Sequence, residues 1–202
     1  MDFSFHIYNK LAADGAAMAL DKLLRASFCQ KNNKTKGAGM DSSDFSAPPV
    51  VVCVGSDLAI GDSLGPITGS MLKYKTQGLN CFLYGTLASP VTAKEIRYIR
   101  TFLKETHRNS PVIAVDAAVG DKGDIGLIRL LDTPLLPGAG ANKKLGAIGD
   151  ISILGIAAEK SLTNYGLLNT TRLNLVYSMS EIISDALSTV LWNREGKQAK
   201  NA

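Results

Sequence analysis

The sequence predicts a single α/β domain, a three-layer αβα sandwich around a mostly parallel sheet. Three observations carry that expectation. Short, unbroken apolar runs such as Val50–Gly55 (VVVCVG) have the composition of strands buried on both faces. Segments with helical apolar spacing alternate with them, which is the pattern of parallel strands joined by crossover helices. A length of 202 residues, with 46% hydrophobic and 20% charged residues, suits one globular domain with a large core.

Taken in chain order, residues 6–28 form a candidate amphipathic helix, with Ile7, Leu11, Met18, Leu20, Leu24 and Phe28 on an imperfect stripe. Residues 1–29 are therefore expected as an N-terminal helical arm. It would pack on its own core, swap to a neighbour, or cover the active edge like a pro-segment, with packing or an oligomer contact preferred. The polar stretch 30–48, which runs into Pro48-Pro49, has the character of a linker. The α/β domain is expected over 49–192 and a flexible tail over 193–202.

Inside the domain, Val50–Gly55, Cys81–Tyr84, Val112–Val115, Gly126–Leu131 and Asp150–Ala158 are the predicted strands. Leu64, Ile67, Met71 and Leu72 mark a helix after the first. Thr92-Ala-Lys-Glu95 has the form of a capping box before the face of Ile96, Ile99, Phe102 and Leu103. A long closing helix is expected from Thr170 to about Trp192.

The net charge of +4 comes largely from KNNKTK at 31–36 and NREGKQAK at 193–200. No basic face with interleaved aromatics accompanies it, so a nucleic-acid partner is not expected. No run approaches the ~18 apolar residues that a membrane span needs, so no membrane partner is expected. The three cysteines, Cys29, Cys53 and Cys81, are far apart and form no CxxC pair. They fit reduced core thiols of a cytoplasmic protein.

Ligands of open parallel sheets bind outside the carboxyl ends of the strands. Gly55–Pro66 (GSDLAIGDSLGP), Gly85–Pro90 and Asp116 are placed there. Asp62 is expected at or just before the first turn of a helix, where an N-cap role is the simplest account. Asp116 has a similar turn-capping explanation. Together they allow more. Neighbouring parallel strands are about 4.8 Å apart, so two strand-end carboxylates can share one water. Like-charge crowding then separates their pKa values into a base and an acid. The same pair can instead hold a divalent cation.

Neither GxGxxG nor GK[ST] occurs, which leaves nucleotide binding without a motif. A serine nucleophile would lack an evident partner base, because His6 and His107 are the only histidines. His107 closes a helix, as a partner of the helix dipole. Gly61, Gly138 and Gly140 offer backbone amides, and Lys143 and Lys144 offer charge, for an oxyanion or a substrate carboxylate. The two lysines fit a solvated surface loop equally well.

VCVGSDLAIGDSLGP, PVIAVDA, PGAGANKKLGAIGDISILGI and LLNTTRLNLVYSMSEII, in that order, resemble the YyaC-type sporulation proteins over about Pro49 to Trp192. That group is similar to the germination protease of spore-forming bacteria and shares the phosphorylase/hydrolase-like, hydrogenase-maturation-protease-like fold. The resemblance implies an aspartic-type peptidase with Asp62 and Asp116 as its catalytic pair. It implies small acid-soluble spore proteins as substrates and the forespore or spore interior as the location. Hydrogenase maturation proteases place a metal-binding Glu, Asp and His at this edge. No histidine here matches theirs, and no cofactor or metal is expected. The alternative is a non-catalytic sporulation factor that binds a protein partner on the same fold. A homo-oligomer is compatible with both.

Overall fold

The computed structural model describes residues 1–35, 47–138, 145–160, 168 and 171–201. Six strands form one sheet: β1 (Asp2–His6), β2 (Val50–Cys53), β3 (Phe82–Tyr84), β4 (Val112–Gly120), β5 (Leu127–Leu131) and β6 (Ile151–Glu159). Their order across the sheet is β1-β5-β6-β4-β2-β3. β3, β2, β4 and β6 are parallel. β5 runs antiparallel to β6, and β1 antiparallel to β5. Among the described residues four α-helices accompany the sheet: α1 (Ala12–Thr35), α2 (Leu64–Lys75), α3 (Ile96–Thr106) and α4 (Leu173–Asn201).

Strand periodicity of two divides the core. Val51 and Cys53 of β2, with Ile113 and Val115 of β4, face one cluster with Leu20 and Leu23 of α1, Leu72 of α2, and Met179, Ile183 and Leu187 of α4. Val50, Val52, Val112 and Ala114 face the other, with Ile96, Ile99 and Leu103 of α3. The arrangement is the expected αβα sandwich with a mostly parallel sheet.

The N-terminus differs from the expected arm. Residues 2–6 form an edge strand of the main sheet, Phe3 opposite Leu130 and Phe5 opposite Ile128. The helix begins at Ala12, not at residue 6, and its leucines belong to the larger core cluster. The alternation Asp-Phe-Ser-Phe-His is the strand signal, and it is short enough to be hidden by the helical stripe behind it. α1 continues to Thr35, into the stretch expected as a linker, and α4 continues to Asn201, into the expected tail. The rest of the linker, 36–46, lies outside the described residues. Two cysteines also depart from core positions: Cys53 is buried, Cys81 half-buried and Cys29 exposed.

The first crossover is drawn tightly onto the sheet. A Cβ on Gly65, in the first turn of α2, would lie 2.0 Å from the carbonyl oxygen of Val54. No side chain fits there without moving helix from strand. Gly65→Ala is expected to destabilise the protein by about 1–3 kcal/mol, the usual cost of overpacking, and to lower Tm by about 2–4 °C per kcal/mol. Thermal denaturation checks this, and an unchanged Tm would refute the close approach.

Candidate active site at the carboxyl edge of the sheet

β2 and β4 pair from Val50↔Val112 to Cys53↔Val115, and the Val54 N–H donates the last bond to the Val115 carbonyl at 2.7 Å. β2 then ends, while β4 runs on to Gly120 beside β6. Asp116 is the next residue of β4. It is therefore not the residue that ends the strand, as the stop of the apolar run at Val115 suggested. It stands where β4 loses its neighbour on one side. The residue is 8% exposed, and Oδ1 accepts the N–H of Ala117 at 2.8 Å.

Asp62 is the middle residue of a 3-10 turn, Gly61–Ser63, between β2 and α2. The loop leading to it closes on itself: the Ser56 N–H donates to the Asp62 carbonyl at 3.1 Å. Gly55 makes that closure possible. Its φ is +141°, and a Cβ there would lie 2.1 Å from the Asp62 carbonyl oxygen. Neither this turn nor α2 has a side-chain N-cap bond. The capping role considered for Asp62 is thus not what these helix starts display. The Asp62 side chain is half-buried.

The two aspartates influence each other. Burial pushes the Asp116 carboxyl well above the ordinary range, the negative charge of Asp62 pushes it further, and the Ala117 N–H opposes both. Asp116 thereby holds a proton more tightly than an ordinary aspartate.

The other sequence-derived candidates are dispersed. Gly61 adjoins Asp62, but packing accounts for it: a Cβ would lie 2.7 Å from Leu168 Cδ2 and 2.8 Å from its carbonyl oxygen. Gly138, at φ +71°, follows Leu135, which pairs with Ile148 in the segment after β5. No contact among the described residues joins it to the aspartates. Gly140, Lys143 and Lys144 lie outside the described residues.

His107 does close α3, but not as a charged dipole partner. It is buried, which lowers its pKa, and Nε2 is 2.8 Å from the Tyr84 hydroxyl. The rings of Phe82 and Phe102 pack on it at centroid distances of 4.4 and 5.7 Å. Among the described residues no three His, Cys, Asp or Glu side chains gather as a metal site. No helix of the described residues is long and apolar enough to cross a membrane. Sequence reasoning missed Leu168, the cover over Gly61, because an isolated Leu-Leu pair in a polar stretch carries no periodic signal.

The chain is similar to the NiFe hydrogenase maturation protease HycI from Thermococcus kodakarensis KOD1, with a TM-score of 0.46 and 16% identity over 72% of this chain and 92% of that one. It is 42% identical over 141 residues to the uncharacterized protein YyaC of Bacillus subtilis (strain 168), which is 70% of this chain and 68% of that protein. Residues 32–186 match the model of a family described as Protein of unknown function (DUF1256). The chain belongs to that DUF1256 family.

Proposed function

We propose that this protein is a peptide hydrolase in which Asp62 and Asp116 act as a pair. The observation that carries the reading is the buried Asp116 carboxyl, displaced toward its protonated form and sensitive to the charge of Asp62. Two carboxyl groups in unequal environments divide into base and acid. Ionised Asp62 takes a proton from water as the water oxygen attacks the peptide carbonyl carbon. Protonated Asp116 gives its proton to the amide nitrogen as the C–N bond breaks. Each transfer supplies about 10²–10⁴-fold in rate.

The motif resemblance to the germination protease supports the same two residues and the same reaction. It also makes spore proteins the first substrates to try and the forespore the compartment in which to look. Backbone amides beside Gly61 or in the Gly138–Gly140 loop, with Lys143, are the proposed stabilisers of the oxyanion.

Asp62→Asn and Asp116→Asn should each reduce cleavage of a spore-protein substrate by at least about a hundredfold while leaving the fold intact. Cleavage assayed by mass spectrometry checks this. A variant that still cleaves would remove its residue from the pair, and an unsubstituted chain that cleaves nothing would favour the partner-binding alternative.

Stability should report the buried carboxyl independently of activity. A carboxyl whose folded pKa lies above its unfolded one stabilises the fold fully only at low pH. That contribution is lost as pH rises from the ordinary aspartate range through the raised value. Asp116→Asn, which keeps the shape of the protonated acid, should raise Tm at pH 7, by about 2–4 °C for each kcal/mol regained. The gain should shrink toward zero as the pH is lowered to about 4. Equal Tm values at pH 7 would contradict a strained buried carboxyl.

A further inference from the structure

Beyond the end of β2, β4 has no strand partner on that side among the described residues, and the hydrogen-bond pattern identifies which groups are left over. On β4 and its approach, odd-numbered residues face β2: the Pro111 carbonyl accepts from the Val50 N–H, and the Val115 carbonyl from the Val54 N–H. Even-numbered residues face β6: the Val112 carbonyl accepts from the Asp150 N–H, and the Gly120 carbonyl from the Lys160 N–H. The irregularity between Ala118 and Val119 adds its extra residue on β6, where Ile156 pairs with Ala118 and Ala158 with Val119. Parity on β4 is therefore kept through Gly120.

The backbone groups of Ala117 and Val119 consequently turn to the side that β2 has vacated. Among the described residues nothing donates to the Ala117 or Val119 carbonyl there, and nothing accepts the Val119 N–H. The Ala117 N–H is satisfied only by the side chain of its own neighbour, Asp116. Residues 117–120 are all half-buried, in contrast to the buried run 112–116. Open backbone of this kind is a template for one more strand.

We propose that the edge of β4 from Ala117 to Val119 is where a substrate polypeptide docks, as an extended strand continuing the line of β2, beside Asp62 and Asp116. The inference rests on the peptidase reading for the fate of the bound segment. Its substrate class is narrower: a chain that can present about four residues in extended form, about 13 Å of strand. Folded helical segments do not qualify. Main-chain bonds supply the affinity, as in other cases of strand addition. Docking also frees the acid. A substrate carbonyl that takes the Ala117 N–H displaces Asp116 Oδ1, and the carboxyl loses the one contact that favours its ionised form. The proton is therefore held most firmly once the substrate is in place, where the leaving nitrogen can take it.

The test separates docking from cleavage by working in an Asp62→Asn background. The probe is reduced, carboxymethylated α-lactalbumin, an unfolded polypeptide, labelled for fluorescence anisotropy. Asp62→Asn protein should bind it. Adding Val119→Pro, which removes an N–H facing away from the β6 ladder, should weaken binding about tenfold, the upper range for one hydrogen bond. Equal affinity in the two proteins, or no binding by the first, would overturn the proposal. Amide exchange measured by NMR covers the case in which the proline variant fails to fold: the Val119 N–H of the Asp62→Asn protein should exchange more slowly with probe bound, and an unchanged rate would also overturn it. Slow exchange without probe at doubled molecular mass would assign the edge to a second copy of this chain, against the proposal. Binding and protection with no cleavage by the unsubstituted chain would uphold the docking and remove the hydrolase reading.

Discussion

The Val54 N–H to Val115 carbonyl bond is the last link between β2 and β4, and much of the candidate site follows from its being the last. Beyond it the chain must turn away, because Gly55 takes a conformation open to glycine and donates instead to the Val91 carbonyl. The turn brings the 3-10 segment Gly61–Ser63 back over the sheet edge, and Gly65 lets α2 start almost in contact with the strand. The result places a carboxyl group from the loop near a carboxyl group from the neighbouring strand, at the edge where parallel sheets bind their ligands.

Electrostatics set what this placement can do. An isolated buried carboxylate is costly, and the usual remedy is a cation. What acts on Asp116 is the reverse, burial together with a second negative charge, with one backbone N–H in compensation. A fold selected for stability alone gains nothing from such a residue. The same arrangement is useful where a proton must be kept ready near neutral pH. The neutral, aromatic-packed His107 belongs to α3 and β3 and makes no described contact with this pair.

How much of this was legible beforehand depended on the kind of signal. The apolar runs at Val50 and Val112 defined β2 and β4 because burial on both faces demands an unbroken run. Thr92 and Glu95 form only half of the expected capping box: the Glu95 carboxylate accepts both the N–H and the hydroxyl of Thr92, but the Glu95 N–H donates to the Thr92 carbonyl, and α3 begins only at Ile96. The extension of β4 over Ala117–Gly120 was not legible. Ala-Ala-Val-Gly lacks the bulk of a buried strand, and among the described residues it pairs with β6 alone. β1 was obscured for a related reason: an edge strand of five residues with one packed face has too few positions to outweigh the helix beside it. Asp62 and Asp116 were legible as residues. Their mutual influence was not, because it depends on a turn closed by backbone bonds that leave no trace in residue type.

The N-terminal element shows how the sheet is finished at the edge away from β4 and β2. The family match begins at residue 32, inside α1, yet Leu20, Leu23 and Leu24 of that helix are buried and β1 runs the full length of β5. Without β1, β5 would present its own unpaired edge. β1 is half exposed and carries charge at Asp2, whose carboxylate pairs with Arg129 at 2.6 Å. A short polar edge strand of this kind discourages further pairing. The two edges of backbone left unpaired among the described residues therefore differ in character. The outer edge is protected by charge and brevity, whereas the inner one, along Ala117 and Val119, has small side chains, partial exposure and a carboxyl group at its start. That contrast is what a sheet needs if it is to accept a strand at one place and refuse it at another.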